Sequence, residues 1–278
     1  MNPEIEKYLK DEKWTEKFKQ IKMKKRLYNL SRIVAISVII FALILLMQRI
    51  MLFLKSTHIF GINNIVIEGN KILTTNEILQ AGELINIKNI FEVNLKELEK
   101  KLELHPRIKY VSVKRKLPNI LLISIKERNP IALVNVKEEI LYKLYEVDKE
   151  GYVIGGGDRI SNFDLPVITG ITSEKIILGE KINDKNLIKI LDILAKVNKK
   201  IYNFGRLIAE LHIDNSTGGA ELTIILNEKN IPVFFGNKIL LEKFLKLNSF
   251  ITVVFKQLNT IEYIDFKYND IVIKWKQG

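Results

Sequence analysis

The side chains that could carry reaction chemistry are scattered. His58, His105 and His212 lie far apart, with no H-x-x-x-H or similar metal-ligand spacing. No G-x-S-x-G elbow and no G-K-[ST] phosphate loop occurs. Gly155-Gly156-Gly157 lacks a following Lys-Ser and a clear helix start, so it reads as a flexible loop. Acid pairs such as Glu138-Glu139 fall in turns, where charge is solvated. No nucleophile, acid–base pair, metal site or cofactor site is expected, and the protein is expected not to be an enzyme.

Binding chemistry is more legible at the C-terminal end. Ile261-Glu262-Tyr263-Ile264-Asp265-Phe266-Lys267-Tyr268 and Ile271-Val272-Ile273-Lys274-Trp275 read as two closing strands turning at Asn269-Asp270. A final strand is often an edge strand with unpaired N–H and C=O groups, and such an edge can accept a strand from a partner. Tyr and Trp are common interface anchors. Tyr268, Trp275 and the last strand, with Ile271 and Ile273, are therefore expected to form a partner site. The competing reading is an edge merely blunted by Lys274 and Lys276.

The largest positioning element is Ile33–Leu54, IVAISVIIFALILLMQRIMLFL. Up to Met47 only Ser37 is polar, so the stretch is apolar on all sides rather than amphipathic. Its length at helical rise is about 33 Å, against roughly 30 Å for a bilayer core. The basic leader before it is long and no A-x-A site comes after it, which argues against a cleaved signal peptide. Lys19, Lys22, Lys24, Lys25, Arg26 and Arg32 precede it without an intervening acid, so the positive-inside rule puts residues 1–32 in the cytoplasm. Those 32 residues carry ten basic and five acidic side chains, +5 of the formal +12. The charge is thus densest beside the membrane, where it sets topology, and nucleic acid is not an expected partner. The tail's Ile5, Leu9, Trp14, Phe18 and Ile21 have roughly helical spacing and read either as an amphipathic helix on the membrane surface or as a disordered charged tail.

After a connector at 55–61 come a strand ending at Gly69-Asn70, a helix opened by the Thr74/Glu77 capping box, and a second helix opened by Asn94 and stopped before Pro106. Next are strands over 108–115 and 121–126, joined by a turn at Pro118. This β-α-α-β-β order predicts a three-stranded α+β layer over 62–128. The Glu127-Arg128 pair either ties this layer to the domain after it or is a solvated surface pair. From 129 to 278 the pattern predicts a mixed β-rich domain with two helices, at Asn186–Tyr202 and about Lys238–Leu258. There are no cysteines, so stability must come from the core.

These residues carry a resemblance. Ile65-Val66-Ile67-Glu68-Gly69-Asn70, His105-Pro106-Arg107-Ile108, Arg115-Lys116-Leu117-Pro118-Asn119 and Glu127-Arg128-Asn129-Pro130-Ile131-Ala132 are ordered and spaced as in the POTRA domain of the FtsQ/DivIB cell-division proteins. Gly69, Pro106, Pro118 and Arg128 are the structural positions of that pattern. Asp148-Lys149-Glu150-Gly151 and Leu165-Pro166-Val167-Ile168-Thr169-Gly170 resemble signatures of the family's β domain, and Asp265-Phe266-Lys267-Tyr268 resembles its Asp-hydrophobic-basic-Tyr motif. The resemblance implies a non-enzymatic scaffold of the divisome. It implies a single-pass protein, mostly extracytoplasmic and enriched at the septum. It also implies binding of FtsB-like and FtsL-like coiled-coil proteins and, through them, regulation of the septal peptidoglycan synthase machinery. Asp265 and Lys267 join the partner site on this ground, and Trp275 lies near the family's following tryptophan. The alternative is a POTRA-containing translocation or envelope-assembly factor. Such proteins carry a β-barrel of many strands after the POTRA part, which the roughly 145 residues that follow here, with two sizeable helices, disfavour.

Overall fold

A computed structural model describes residues 12–56, 58–138, 141–171, 176–215, 219–268 and 270–276. Ile5, Leu9, Glu139 and Asn269, used in the sequence reading, lie outside the described residues. The chain divides into two compact units.

The first unit is built on one helix, α1 (Glu12–Ser56), with Lys88–Glu92 and Leu117–Asn119. Its apolar part is long enough to cross a bilayer, and its side chains from Glu16 to Phe53 are exposed. Ser37, the lone polar residue of the apolar run, donates its hydroxyl to the Ile33 carbonyl at 2.9 Å, which satisfies it without a partner helix. The described part of the tail is helical and continuous with the apolar run, so from residue 12 onward the disordered alternative is set aside. Beyond α1 the connector is stitched to the 88–92 segment. Asn89 donates to the Leu54 carbonyl at 3.1 Å, Ile90 N–H donates to Phe60, and the Phe60 and Phe91 rings meet edge to face at 5.0 Å.

The second unit holds two sheets. The smaller contains β1 (Asn64–Glu68), β2 (Ile108–Lys116) and β3 (Ile120–Glu127) in the order β1-β3-β2, with β1 parallel to β3. Two helices, α2 (Thr75–Ala81) and α3 (Leu95–Glu103), separate β1 from β2. The Thr74/Glu77 box forms in both directions, and these bonds hold the Glu77 carboxyl below its usual range; Asn94 caps α3 through the Glu97 N–H. Gly69, at φ +89°, sits where a Cβ would collide with the Ile125 carbonyl, so only glycine closes this turn. Pro118 follows a cis peptide bond between β2 and β3.

The larger sheet is mixed and nine-stranded, in the order β12-β11-β10-β9-β8-β7-β4-β5-β6. Its strands are β4 (Pro130–Glu138), β5 (Leu141–Asp148), β6 (Val153–Gly156), β7 (Val167–Thr169), β8 (Ile208–Asp214), β9 (Glu221–Leu226), β10 (Pro232–Gly236), β11 (Ile261–Asp265) and β12 (Val272–Trp275). Alternate residues such as Leu211, Leu222, Ile224, Val233, Phe235 and Ile264 are buried, as period-2 patterning requires. They share one core with α4 (Lys185–Lys200) and α5 (Leu241–Val254). Phe235 anchors it, stacked on Phe266 at 5.5 Å and tilted against Phe244 at 4.9 Å.

Three readings change. Gly155 and Gly156 are not a loop; they lie in β6. A Cβ on Gly155 would fall 2.5 Å from Glu146 Oε2 and 2.8 Å from the Arg159 carbonyl, so glycine lets two backbones and a buried charge share the space. Glu127 and Arg128 do not pair with each other. The Glu127 carboxylate is buried and accepts the N–H groups of Lys71, Ile72 and Leu73, whereas Arg128 reaches Asp148 at 2.7 Å. The helix expected over about 238–258 is shorter, because a 3-10 segment (Phe255–Thr260) replaces its last turns before β11.

Candidate partner-binding edge

The large sheet has two ends. At one, the start of β6 is covered: Val153 N–H donates to Glu180, Gly179 N–H to Val153 and Ile182 N–H to Gly151, all within 3.0 Å, and Tyr152 bridges to Lys181. At the other, β12 pairs with β11 alone, and among the described residues no other element bonds to its outer side. One side of its backbone therefore offers donors and acceptors to an incoming strand.

The local sequence explains why β12 stays short and aligned. β11 ends at Asp265, three residues earlier than the pattern suggested, because its continuation is captured. Phe266 N–H donates to Phe234, and the Lys243 ammonium of α5 donates to the carbonyls of both Phe235 and Phe266, at 2.9 and 2.7 Å. Burial lowers the Lys243 pKa from its ordinary value. The Asp265 carboxylate then accepts Lys267 N–H at 2.7 Å, turning the chain toward β12. In β12, Ile273 faces Ile264 and Val272 faces Asp265, so Ile271 and Ile273 point to the core side, where both are half-buried.

All six expected site residues fall in this β11–β12 hairpin and its turn, but they divide by role. Tyr268 is 73 % exposed and Trp275, opposite Ile261, is 45 % exposed. Ile271 and Ile273 seat the strand on the core. Asp265 shapes the turn. Lys267 is held over the sheet: its ammonium donates to Glu221 at 3.0 Å, which raises its pKa, and lies 5.9 Å from the Phe234 ring. The sequence reading missed Val272, 51 % exposed, and Tyr263; the alternation Ile271-Val272-Ile273-Lys274 was the available signal for Val272. It also left open whether lysines blunt the edge. Lys274 folds back onto β11, bridging Glu262 at 3.2 Å and lying 5.6 Å from the Tyr263 ring, and Lys276 donates to the Asn259 carbonyl at 3.1 Å. Lys274 is thus engaged within its own hairpin and Lys276 on the 3-10 segment before β11, rather than across the strand's outer side.

Comparison with known proteins agrees with this architecture. The family model described as POTRA domain, FtsQ-type, matches residues 60–128, and the one described as cell division protein FtsQ/DivIB, C-terminal, matches residues 135–267. Similar proteins include the cell division protein FtsQ of Geotalea daltonii, 28 % identical over 66 % of this chain and 64 % of its own length. The cell division protein DivIB of Clostridium tetani is 31 % identical over 62 % of this chain and 61 % of its own. The chain thus spans just under two thirds of these relatives. The solved extracytoplasmic domain of DivIB from Geobacillus stearothermophilus aligns with 48 % of this chain and 98 % of its own at 12 % identity and TM-score 0.33, too low a score to transfer detail. With a POTRA-type layer followed by the C-terminal domain model in the expected order, the chain belongs to the FtsQ/DivIB family.

Proposed function

We propose that this protein is a non-enzymatic divisome scaffold, anchored by α1 with its N-terminal tail in the cytoplasm, that binds FtsB-like and FtsL-like coiled-coil proteins through the β12 edge. By holding them it limits or times the septal peptidoglycan synthase machinery. The observation that carries the reading is the contrast in edge protection: β12 keeps an open side with Tyr268, Val272 and Trp275 exposed beside it. Support also comes from the relatives, which are cell division proteins. The basic flank from Lys17 to Arg32 favours the orientation.

A strand added at β12 gains main-chain bonds from the edge and specificity from the flanking aromatic side chains. Buried aromatic anchors at interfaces are typically worth about 2 kcal/mol or more, about 30-fold in affinity. Co-purification of the full chain with FtsB-like and FtsL-like partners tests the site. Trp275→Ala and Tyr268→Ala should each weaken retention by at least about tenfold while leaving the fold intact. Unchanged retention in the double variant would place the site elsewhere. Imaging of a fluorescent fusion should give a septal signal; a uniform envelope signal would speak for an assembly factor instead.

A further inference from the structure

A cluster of ion pairs joins the three-stranded POTRA layer to the far end of the large sheet from β12. Arg107, just before β2, donates through Nη2 to Glu146 Oε2 of β5 at 2.5 Å, with side chains 6 % and 0 % exposed. The second Glu146 oxygen accepts the Ser161 hydroxyl at 2.5 Å and the N–H groups of Ser161 and Asn162 at 2.7 and 3.1 Å, so the carboxylate is fully bonded. Arg107 also reaches the Ser161 hydroxyl at 3.3 Å and the Arg159 carbonyl at 3.5 Å. Beside it, Arg128 donates to Asp148 at 2.7 Å and to Glu150 at 3.4 Å, stacks 3.7 Å from the centre of the Tyr152 ring, and passes its N–H to the Arg107 carbonyl. Lys109 of β2 closes the outer side on Glu150.

Such a cluster adds little net stability over an apolar contact of the same shape, because burying charges costs about as much as pairing them returns. It demands one geometry, however, since any rotation of one layer strands a buried charge. An interface between adjacent domains is mobile by default unless something of this kind fixes it. We propose that Arg107–Glu146 and Arg128–Asp148 form an orientation lock that makes the POTRA layer and the nine-stranded sheet one rigid arm. The lock grips β5, seven strand positions from β12, so the sheet extends the arm by about 34 Å to the open edge. Whatever direction the POTRA layer takes, the edge takes with it. The glycine at 155 belongs to the device, because any side chain there would occupy the place of the Arg107–Glu146 bond.

The chain has no cysteine, so spin labels can be placed singly at will. Labels at Lys96→Cys in α3 and Tyr202→Cys after α4, both exposed, report the angle between the layers by pulsed electron–electron distance measurement on the full chain. The wild type should give one narrow distance distribution. Arg107→Met/Glu146→Leu with Arg128→Gln should at least double its width, as expected for domains free to reorient, while protection of the buried β8–β10 amides from hydrogen exchange stays at the wild-type level. Arg128→Gln alone, which leaves the buried pair whole, should broaden it less. An unchanged narrow distribution in the triple variant with a protected core would overturn the proposal. If the triple variant loses core protection, Arg128→Gln carries the test: a broadened distribution with a protected core upholds the lock, and a wild-type width overturns it.

Discussion

The two edges of the nine-stranded sheet face the same physical hazard and treat it in opposite ways. β6 is sealed by the 177–182 segment on its outer side and by the Glu146–Arg107 bond packed against Gly155. Among the described residues nothing covers β12, yet its neighbouring lysines are turned away from it. The β2 edge of the small sheet follows β6 rather than β12. In β2, the Val113 N–H points away from β3 and is taken by the Glu99 carboxylate of α3 at 2.7 Å. An edge that is merely tolerated is usually blunted by a charge, a proline or a covering loop. Among the described residues of these three edges, β12 combines exposed aromatic side chains with the lack of such a device, whereas β2 has exposed Tyr110 but is bonded at Val113; the proposed partner site rests on that difference.

The largest effect is expected where the sealed edge is broken. Gly155→Val forces a side chain between Glu146 and Arg107; separating a buried pair typically costs about 3–5 kcal/mol, so urea unfolding should show a loss of about that size. A matched change at the open edge, Val272→Ala, should stay within about 0.5 kcal/mol, because Val272 is exposed and packs on little. Equal losses at the two positions would erase the distinction. Glu99→Ala is intermediate. It leaves the Val113 N–H without its acceptor at a half-buried site, which should cost about 1 kcal/mol.

The smallest effect is a pH dependence at the closed end. The Lys109 bond, then the Arg128 charge, hold the Glu150 carboxyl below its ordinary range. A depressed carboxylate contributes its stability above the unfolded-state pKa and loses it as pH falls through the folded value. Stability should therefore be flat from pH 7 down to about 5 and decline below about 4, with Glu150→Gln flattening part of that decline. A decline beginning near pH 6 would point to His105 instead. Burial lowers that residue's pKa, and its ring nitrogen accepts the Arg107 N–H at 3.2 Å.

Local grammar made much of this legible. The Thr74/Glu77 box, the Asn94 cap, the apolar stripe of α4 and the alternation in β8–β11 are written within a few neighbouring residues, and the elements formed where those signals stood. What stayed hidden depends on contacts between distant segments. β7 is three residues long and exists because it fits between β4 and β8, which no local pattern announces. The Gly155-Gly156 pair reads as a loop until Glu146 and Arg107 are known to pass beside it. Glu127 and Arg128 left two readings open, a tie to the next domain or a surface pair; Arg128 makes the tie through Asp148, and Glu127 turns back into its own layer, which the sequence did not announce. At the candidate site, the aromatic residues and the final strand were visible. The openness of the edge was not, because it depends on where Lys274 and Lys276 turn and on Lys243 ending β11.

The most direct test of the central claim is hydrogen exchange on the full chain with and without an FtsB-like partner. Partner binding at β12 should slow exchange of outward-facing amides within Val272–Trp275 by at least about tenfold, as pairing with a new strand requires, while the β6 and β2 edges do not change. Unchanged exchange across β12, with new protection on the POTRA layer or along β6, would contradict it.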